Sequence, residues 1–240
     1  MYTPDITTWM NPNIEYLFNT EIIEYDMKEA GFSLIKQYKL LNTDAITKLN
    51  QLGKDERKIA IGKLQRYGDL SSSVLSSKFA EMRGLFLTGN SLTDNEIITV
   101  KKDAIFTIGK CKKHKFDGIE FVEKNHYSSY IRFVNNSNIE IFYNDINGSE
   151  LEIKGIGDVG VNRHRLYLIP FIIKIIKYIE LKNPSAKRQL KTFIDEYKSM
   201  KLDEGYYIEF NNMSSSTDPM FNYQKLLIPL VQIVMGEFDK

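Results

Sequence analysis

A single cysteine, Cys111, excludes an intrachain disulfide framework and a cysteine-built zinc site. The three histidines, His114, His126 and His164, have no spacing that builds a metal centre. Charge of one sign is not in excess: 32 basic against 31 acidic residues leave +1, so no global signal for a polyanionic partner exists. No apolar run is long enough for a bilayer. The most apolar stretch, Leu166–Ile179, is interrupted by Pro170, Lys174 and Lys177, and a span needs about 20 apolar residues. No membrane partner is expected. Met1–Met10 carries no basic residue and no long apolar run, so no signal peptide is expected. The expected location is the cytoplasm, that of the host if the source is viral.

The chain has 240 residues, 42% of them hydrophobic and 26% charged. Those are values of a folded protein and exclude disorder as the main state. Charge is uneven locally. Between Arg163 and Lys201 ten basic residues face three acids, and Leu202–Lys240 holds two basic residues against six acids. A second cluster is Lys110, Lys112, Lys113 and Lys115 with His114. Such clusters follow a nucleic-acid backbone by displacing counterions, or simply solvate a helix face and a hairpin tip. Cys111, beside those lysines, has a setting that lowers a thiol pKa.

Periodicity divides the chain. Glu21–Tyr25 reads as a short strand that Asp26 ends. Helical spacing then runs through Lys28–Leu41, Ala45–Leu52, Lys54–Tyr67 and Ser71–Phe86. Gly89-Asn90-Ser91 breaks it and the period falls to two. Strands are expected at Ile97–Val100, Ala104–Ile108, Gly118–Val122, Tyr127–Val134, Ile139–Tyr143 and Leu151–Ile153. Helices are expected again at Arg165–Leu181, Ser185–Met200 and Phe221–Phe238, the last bent at Pro229, with Tyr206–Phe210 a further strand. The class is α+β: an antiparallel sheet covered by helices. Residues 1–165 form the expected core and residues 166–240 a mainly helical part. Trp9 is expected to anchor an N-terminal arm.

Two carboxylates stand out. Asp26 follows an apolar strand and opens a helix, where an acid serves as an N-cap or as a metal ligand beside a phosphate. Asp103 lies between two apolar strand halves, Ile97–Val100 and Ala104–Ile108. An acid inside a strand opposes both β-propensity and burial. Placed close together on neighbouring strands, the pair would repel unless a cation lay between them. Two carboxylates with Mg²⁺ are the minimum for two-metal phosphoryl transfer.

The order of segments resembles the palm of family B DNA polymerases. That family has a strand-end Asp-x-x-Ser-Leu-Tyr-Pro-Ser segment, a lysine helix ending near Tyr-Gly, an Asp-Thr-Asp-Ser hairpin, Lys-Lys-x-Tyr, and a Lys-Gly strand end. Here Asp26-Met27-Lys28-Glu29-Ala30-Gly31-Phe32-Ser33 resembles the first and Lys63-Leu64-Gln65-Arg66-Tyr67-Gly68 the second. Lys101-Lys102-Asp103-Ala104 resembles the hairpin, Lys124-Asn125-His126-Tyr127 the fourth segment, and Glu152-Ile153-Lys154-Gly155 the last. Lys101 and Ala104 replace the first Asp and the Ser of the hairpin motif, and Gly31 stands at the tyrosine that blocks a 2′-hydroxyl in the family. The similarity covers roughly residues 20–165, and the short fingers it leaves point to a virus or mobile element.

This resemblance implies a palm with a thumb-like C-terminal part and Asp26 and Asp103 as catalytic residues holding Mg²⁺ (or Mn²⁺). It implies nucleoside triphosphates bound by Met27, Gly31, Phe32, Arg57, Lys63 and Tyr67. It also implies nucleic acid, DNA in preference to RNA, bound by Lys124, Tyr127, Lys154, Gly155, Arg163 and Arg165. The rival expectations are a catalytically degenerate palm that binds nucleic acid or a replication or transcription protein, and a structural protein whose similarity is coincidental.

Overall fold

The structure is a computed structural model and describes residues 2–132, 140–144, 150–154, 173, 175–176, 180–181 and 184–202. The expected strand Tyr206–Phe210 and helix Phe221–Phe238 lie outside these residues. The fold is mixed α+β and divides into two compact units. The first comprises Met1–Asn13 and Glu21–His126, the second Ile14–Thr20 and Tyr127–Lys240.

The first unit begins with β1 (Thr8–Met10), an arm strand on which Trp9 packs against Tyr2 with ring centroids 5.2 Å apart. Strand β2 (Tyr16–Leu17) belongs to the second unit. Then come β3 (Ile22–Met27) and four helices, α1 (Ala30–Gln37), α2 (Thr43–Gln51), α3 (Lys54–Tyr67) and α4 (Ser72–Gly89). Their ends follow local chemistry. The Asn42 side chain accepts from the Ala45 N–H to cap α2, Ser71 does the same for α4 through Val74, and α3 closes at Gly68 in the left-handed region. Strands β4 (Ile97–Lys101) and β5 (Ala104–Ile108) form a hairpin, followed by β6 (Lys115–Phe116) and β7 (Ile119–Tyr127).

The six-stranded sheet runs β1-β4-β5-β3-β7-β6. Its register places Asp26 opposite Ala104 and Lys101 opposite Ala104 from the other side. Strand β7 runs antiparallel to β3: the Lys28 N–H donates to the Glu120 carbonyl, while Asn125 donates to Glu24. The alternation of β3 explains its place at the centre. Ile23, Tyr25 and Met27 join Leu34, Phe79, Met82 and Phe86 in one core, and each large apolar side chain so buried contributes about 1.5–3 kcal/mol.

The second unit carries a four-stranded antiparallel sheet, β10-β9-β8-β2, with β8 (Ser129–Arg132), β9 (Glu140–Asn144) and β10 (Glu150–Lys154). Helix α5 (Pro184–Lys198) follows, and residues 173, 175, 176 and 180 are also helical. No described helix is long and apolar enough to cross a membrane.

Two strand expectations need correction. Gly118–Val122 and Tyr127–Val134 were expected as separate strands, yet β7 continues unbroken to Tyr127. Its polar run Glu123-Lys124-Asn125-His126 hides it, because these side chains find charged partners instead of an apolar layer. Asp103 is not inside a strand. It sits in the two-residue turn of the β4–β5 hairpin, after Lys102 at φ 54°.

Candidate active site

Both acids are among the residues lining one cavity of about 530 Å³, all of which belong to the first unit. Asp26 reaches it from the end of β3 and Asp103 from the hairpin turn, tied by a backbone bond from the Met27 N–H to the Asp103 carbonyl, 3.2 Å. The first turn of α1, with Ala30, Gly31 and Phe32, and one face of α3 also line it. The first N–H groups of a helix have no partner within it and carry the positive end of its dipole. That end of α1 lines the same cavity as Asp26 and Asp103.

Helix phase decides which α3 residues take part. Lys54, Arg57, Lys58, Ile61, Gly62 and Gln65 line the cavity, following the spacing of a single helical face. Lys63 lies two positions beyond Ile61, and Tyr67 two beyond Gln65, each about 200° round the helix. Both are exposed, Tyr67 by 74%, and neither lines the cavity. Lys63 and Tyr67, expected at the nucleotide, are thus not in the lining of the cavity that Asp26 and Asp103 share, whereas Lys54 and Lys58 are.

Arg57 does reach the site, with three of its donors used in holding the wall. Nε donates to the Leu49 carbonyl at 3.0 Å, Nη2 to Leu52 at 2.8 Å, and Nη1 to the Glu29 carboxylate. The guanidinium stacks 4.3 Å above the Phe32 ring. Arg57 thus joins the end of α2 to the start of α1 and builds the wall. The five cations lining the cavity, Lys54, Arg57, Lys58, Arg83 and Lys102, outnumber the three carboxylates, Asp26, Glu29 and Asp103.

Lys124 adjoins Asp26 and a further acid, Glu24. Its Nζ lies 3.5 Å from Asp26 Oδ2 and 3.5 Å from Glu24 Oε1. Burial works against the ammonium charge, and the fields of Glu24 and Asp26 outweigh it, raising the Lys124 pKa above its ordinary value. Glu24 itself is buried and also accepts from Asn125 at 2.6 Å. Sequence reasoning missed it, although an acid two residues before Asp26 shares its side of the strand.

The remaining expected contacts divide. Tyr127 is buried, packs on Phe142 and gives its hydroxyl to Glu152. Lys154 pairs with Glu152 at 3.0 Å. Gly155, Arg163 and Arg165 lie outside the described residues. Cys111 is buried, and burial pushes its thiol pKa up, contrary to the lowering expected from its lysine neighbours. Among the described residues no group of three or more histidine, cysteine or acidic side chains gathers as a metal centre.

These features define an α+β protein with a paired-acid, cation-lined cavity at the end of an antiparallel sheet. The family model described as Bacteriophage PBS1 gene 130 protein matches residues 3–224, and the chain belongs to that family. The phage origin agrees with the viral source expected from the short fingers. No curated protein matches the chain.

Proposed function

We propose that this chain is a reduced, palm-type nucleotidyltransferase that extends a nucleic-acid strand, DNA in preference to RNA, from nucleoside triphosphates. The observation behind this reading is that Asp26 and Asp103 line the same cavity as Lys54, Lys58 and the first turn of α1. The sheet, with helices packed into the core that Ile23, Tyr25 and Met27 share, suits a palm.

The donor chemistry fits Mg²⁺ or Mn²⁺. Both acids offer hard carboxylate oxygens, and such ions use one or two carboxylates with substrate phosphates completing the shell. Asp26 and Asp103 would hold the ion, which when bound supplies charge neutralisation at the triphosphate and activation of the attacking hydroxyl. Lys54, Lys58 and the N–H groups of Ala30, Gly31 and Phe32 would bind and orient the triphosphate. Phe32 and Ile61 give that wall an apolar lining, and Arg57 keeps it in place. Gly31 leaves room beside the sugar, since a Cβ there would meet Ile61 only at 3.8 Å. Lys124 would approach the nucleic-acid backbone.

A second reading draws on the Lys124–Asp26 pair. A resident lysine at the metal-binding carboxylate suits a protein that binds nucleic acid, or a replication or transcription protein, without catalysis. Primer extension with all four deoxy- and ribonucleotides and Mg²⁺ or Mn²⁺ separates the two. The enzyme incorporates nucleotide and Asp103→Asn abolishes it. Silence of the wild type beside salt-dependent binding of nucleic acid selects the second reading, and absence of both sinks the proposal.

A further inference from the structure

Arg83 is the largest fully buried side chain of the described residues, at 0% exposure, and it lines the cavity. It lies on α4 between Phe79 and Phe86, both buried. A cation at such a position normally needs a carboxylate partner, because desolvation otherwise favours an apolar replacement. Among the described residues Arg83 has none. Its guanidinium makes three hydrogen bonds to backbone carbonyls: Nε and Nη2 donate to Pro4, the former at 3.0 Å, and Nη1 donates to Lys102 at 2.6 Å. One side chain therefore ties the N-terminal arm to the hairpin turn that carries Asp103.

The turn needs tying. Lys102 holds φ at 54°, a left-handed conformation that favours glycine and strains a lysine. Its N–H donates to the Thr7 carbonyl at 2.6 Å and its carbonyl accepts from Arg83. The Lys102 side chain also leans towards α4, with Nζ 5.9 Å from the centroid of the Phe79 ring. The peptide joining Lys102 to Asp103 is planar, so an oxygen fixed on one side fixes the Asp103 nitrogen on the other. The Asp103 carbonyl is held in turn by the Met27 N–H. Both peptides flanking the Asp103 side chain are thereby locked.

We propose that Arg83 is a positioning residue. By fixing the Lys102–Asp103 peptide it sets the direction in which Asp103 presents its carboxylate to the cavity, and it makes the N-terminal arm part of the site. This rests on the reading of Asp103 as a metal-holding acid.

The test compares the wild-type chain with Arg83→Lys, which keeps the charge but loses the fork, and Arg83→Met, which keeps apolar bulk. Two readouts are taken on folded protein: Mn²⁺ affinity by calorimetry, with Asp103→Asn as reference, and amide hydrogen exchange resolved to single residues. We expect Mn²⁺ affinity to fall about tenfold or more in both variants, with Lys giving partial rescue. Exchange at Lys102 should accelerate at least tenfold while Tyr25 and Ile105, in the sheet beside it, stay protected. A merely structural role would instead speed exchange across the sheet and leave the metal affinity of the folded fraction intact. Should the Arg83 variants not fold, Pro4→Gly loosens the other anchor with Arg83 in place, and the same two readouts should move in the same direction. Unchanged Mn²⁺ affinity and unchanged Lys102 exchange overturn the inference. If the wild type shows no Asp103-dependent Mn²⁺ binding, the metal-site reading falls, while the exchange data still decide whether Arg83 fixes the turn.

Discussion

The ammonium of Lys124 stands 3.5 Å from the Asp26 carboxylate, across the boundary between β7 and β3. A divalent ion bound by Asp26 must share that carboxylate with the lysine or displace it. The pair is half exposed, and such pairs contribute about 0.2–1 kcal/mol. Lys124→Met should therefore strengthen Mn²⁺ binding, by no more than about fivefold at 1 kcal/mol. The gain should shrink as salt is added, because screening already weakens the pair in the wild type. Calorimetric titration at low and high salt checks it. Weaker metal binding in the variant would mean that Lys124 supports the site.

Lys58 and Lys63 make an internal comparison on one helix. Lys58 lines the cavity and Lys63 does not. A charge-assisted contact to phosphate contributes about 1.5–3 kcal/mol, so Lys58→Ala should weaken triphosphate binding about tenfold or more. Lys63→Ala should leave it within a factor of two. Fluorescent nucleotide titrations on both variants give the answer, and equal losses would place the triphosphate outside the cavity.

Lys63 and Tyr67 also show how far the sequence could be read. Motif order led to them, but the side chain a helix presents is set by phase, and the phase of α3 follows from Ile61, its one buried residue. Counting back from Ile61 by three, four and seven reaches Lys58, Arg57 and Lys54. The hairpin was legible because Ile97–Val100 and Ala104–Ile108 alternate round a polar pair. What those polar residues do was not legible: the left-handed φ of Lys102 and the clamp from Arg83 depend on a contact 19 residues away. The arm strand β1 left no signal, since three residues are too few to set a period and its pairing with β4 spans the whole helical region. Arg83 did leave one, a cation at helical spacing between Phe79 and Phe86, as the side chain of a buried face.

Phe86 joins the sheet to the helices. Its ring meets Tyr25 at 5.2 Å, Phe121 at 4.6 Å and Phe116 at 5.8 Å, with no exposure. Phe86→Ala should cost about 3–5 kcal/mol through lost burial and an unfilled cavity. Urea unfolding should show a lower midpoint at an unchanged slope. A loss under 1 kcal/mol would mean that this cluster collapses round the gap.

Acid sensitivity should arise partly at Glu96. Its carboxylate accepts from the Thr93 N–H at 2.8 Å and the Thr93 hydroxyl at 2.7 Å, and these bonds lower its pKa from the ordinary 4.5. A group with a depressed folded pKa contributes stability above its unfolded value and loses it as pH falls through the folded one. Stability should therefore decline below about pH 4.5, and Glu96→Gln should flatten that part of the profile while leaving the neutral-to-alkaline part level. Thermal unfolding from pH 3 to pH 8 tests this, and an acid limb identical in both proteins removes Glu96 as its source.

Gly31 separates function from stability most cleanly. It occupies the first turn of α1, lines the cavity, and has negative φ, so alanine fits its backbone. The added Cβ would meet the Ile61 methyl groups at 3.8 and 4.0 Å, which is ordinary contact. Glycine to alanine at a compatible position stabilises a protein by about 0.4–1 kcal/mol, chiefly by restricting the unfolded chain. Gly31→Ala should then unfold at a slightly higher temperature than the wild type. Its methyl group projects beside the N–H groups expected to receive the triphosphate, so nucleotide affinity should fall even as stability rises. Opposite signs cannot come from misfolding, which lowers both. A variant that is more stable and binds nucleotide as well as the wild type would show that the nucleotide does not pass the first turn of α1, and would leave Lys54 and Lys58 as the remaining triphosphate contacts to test.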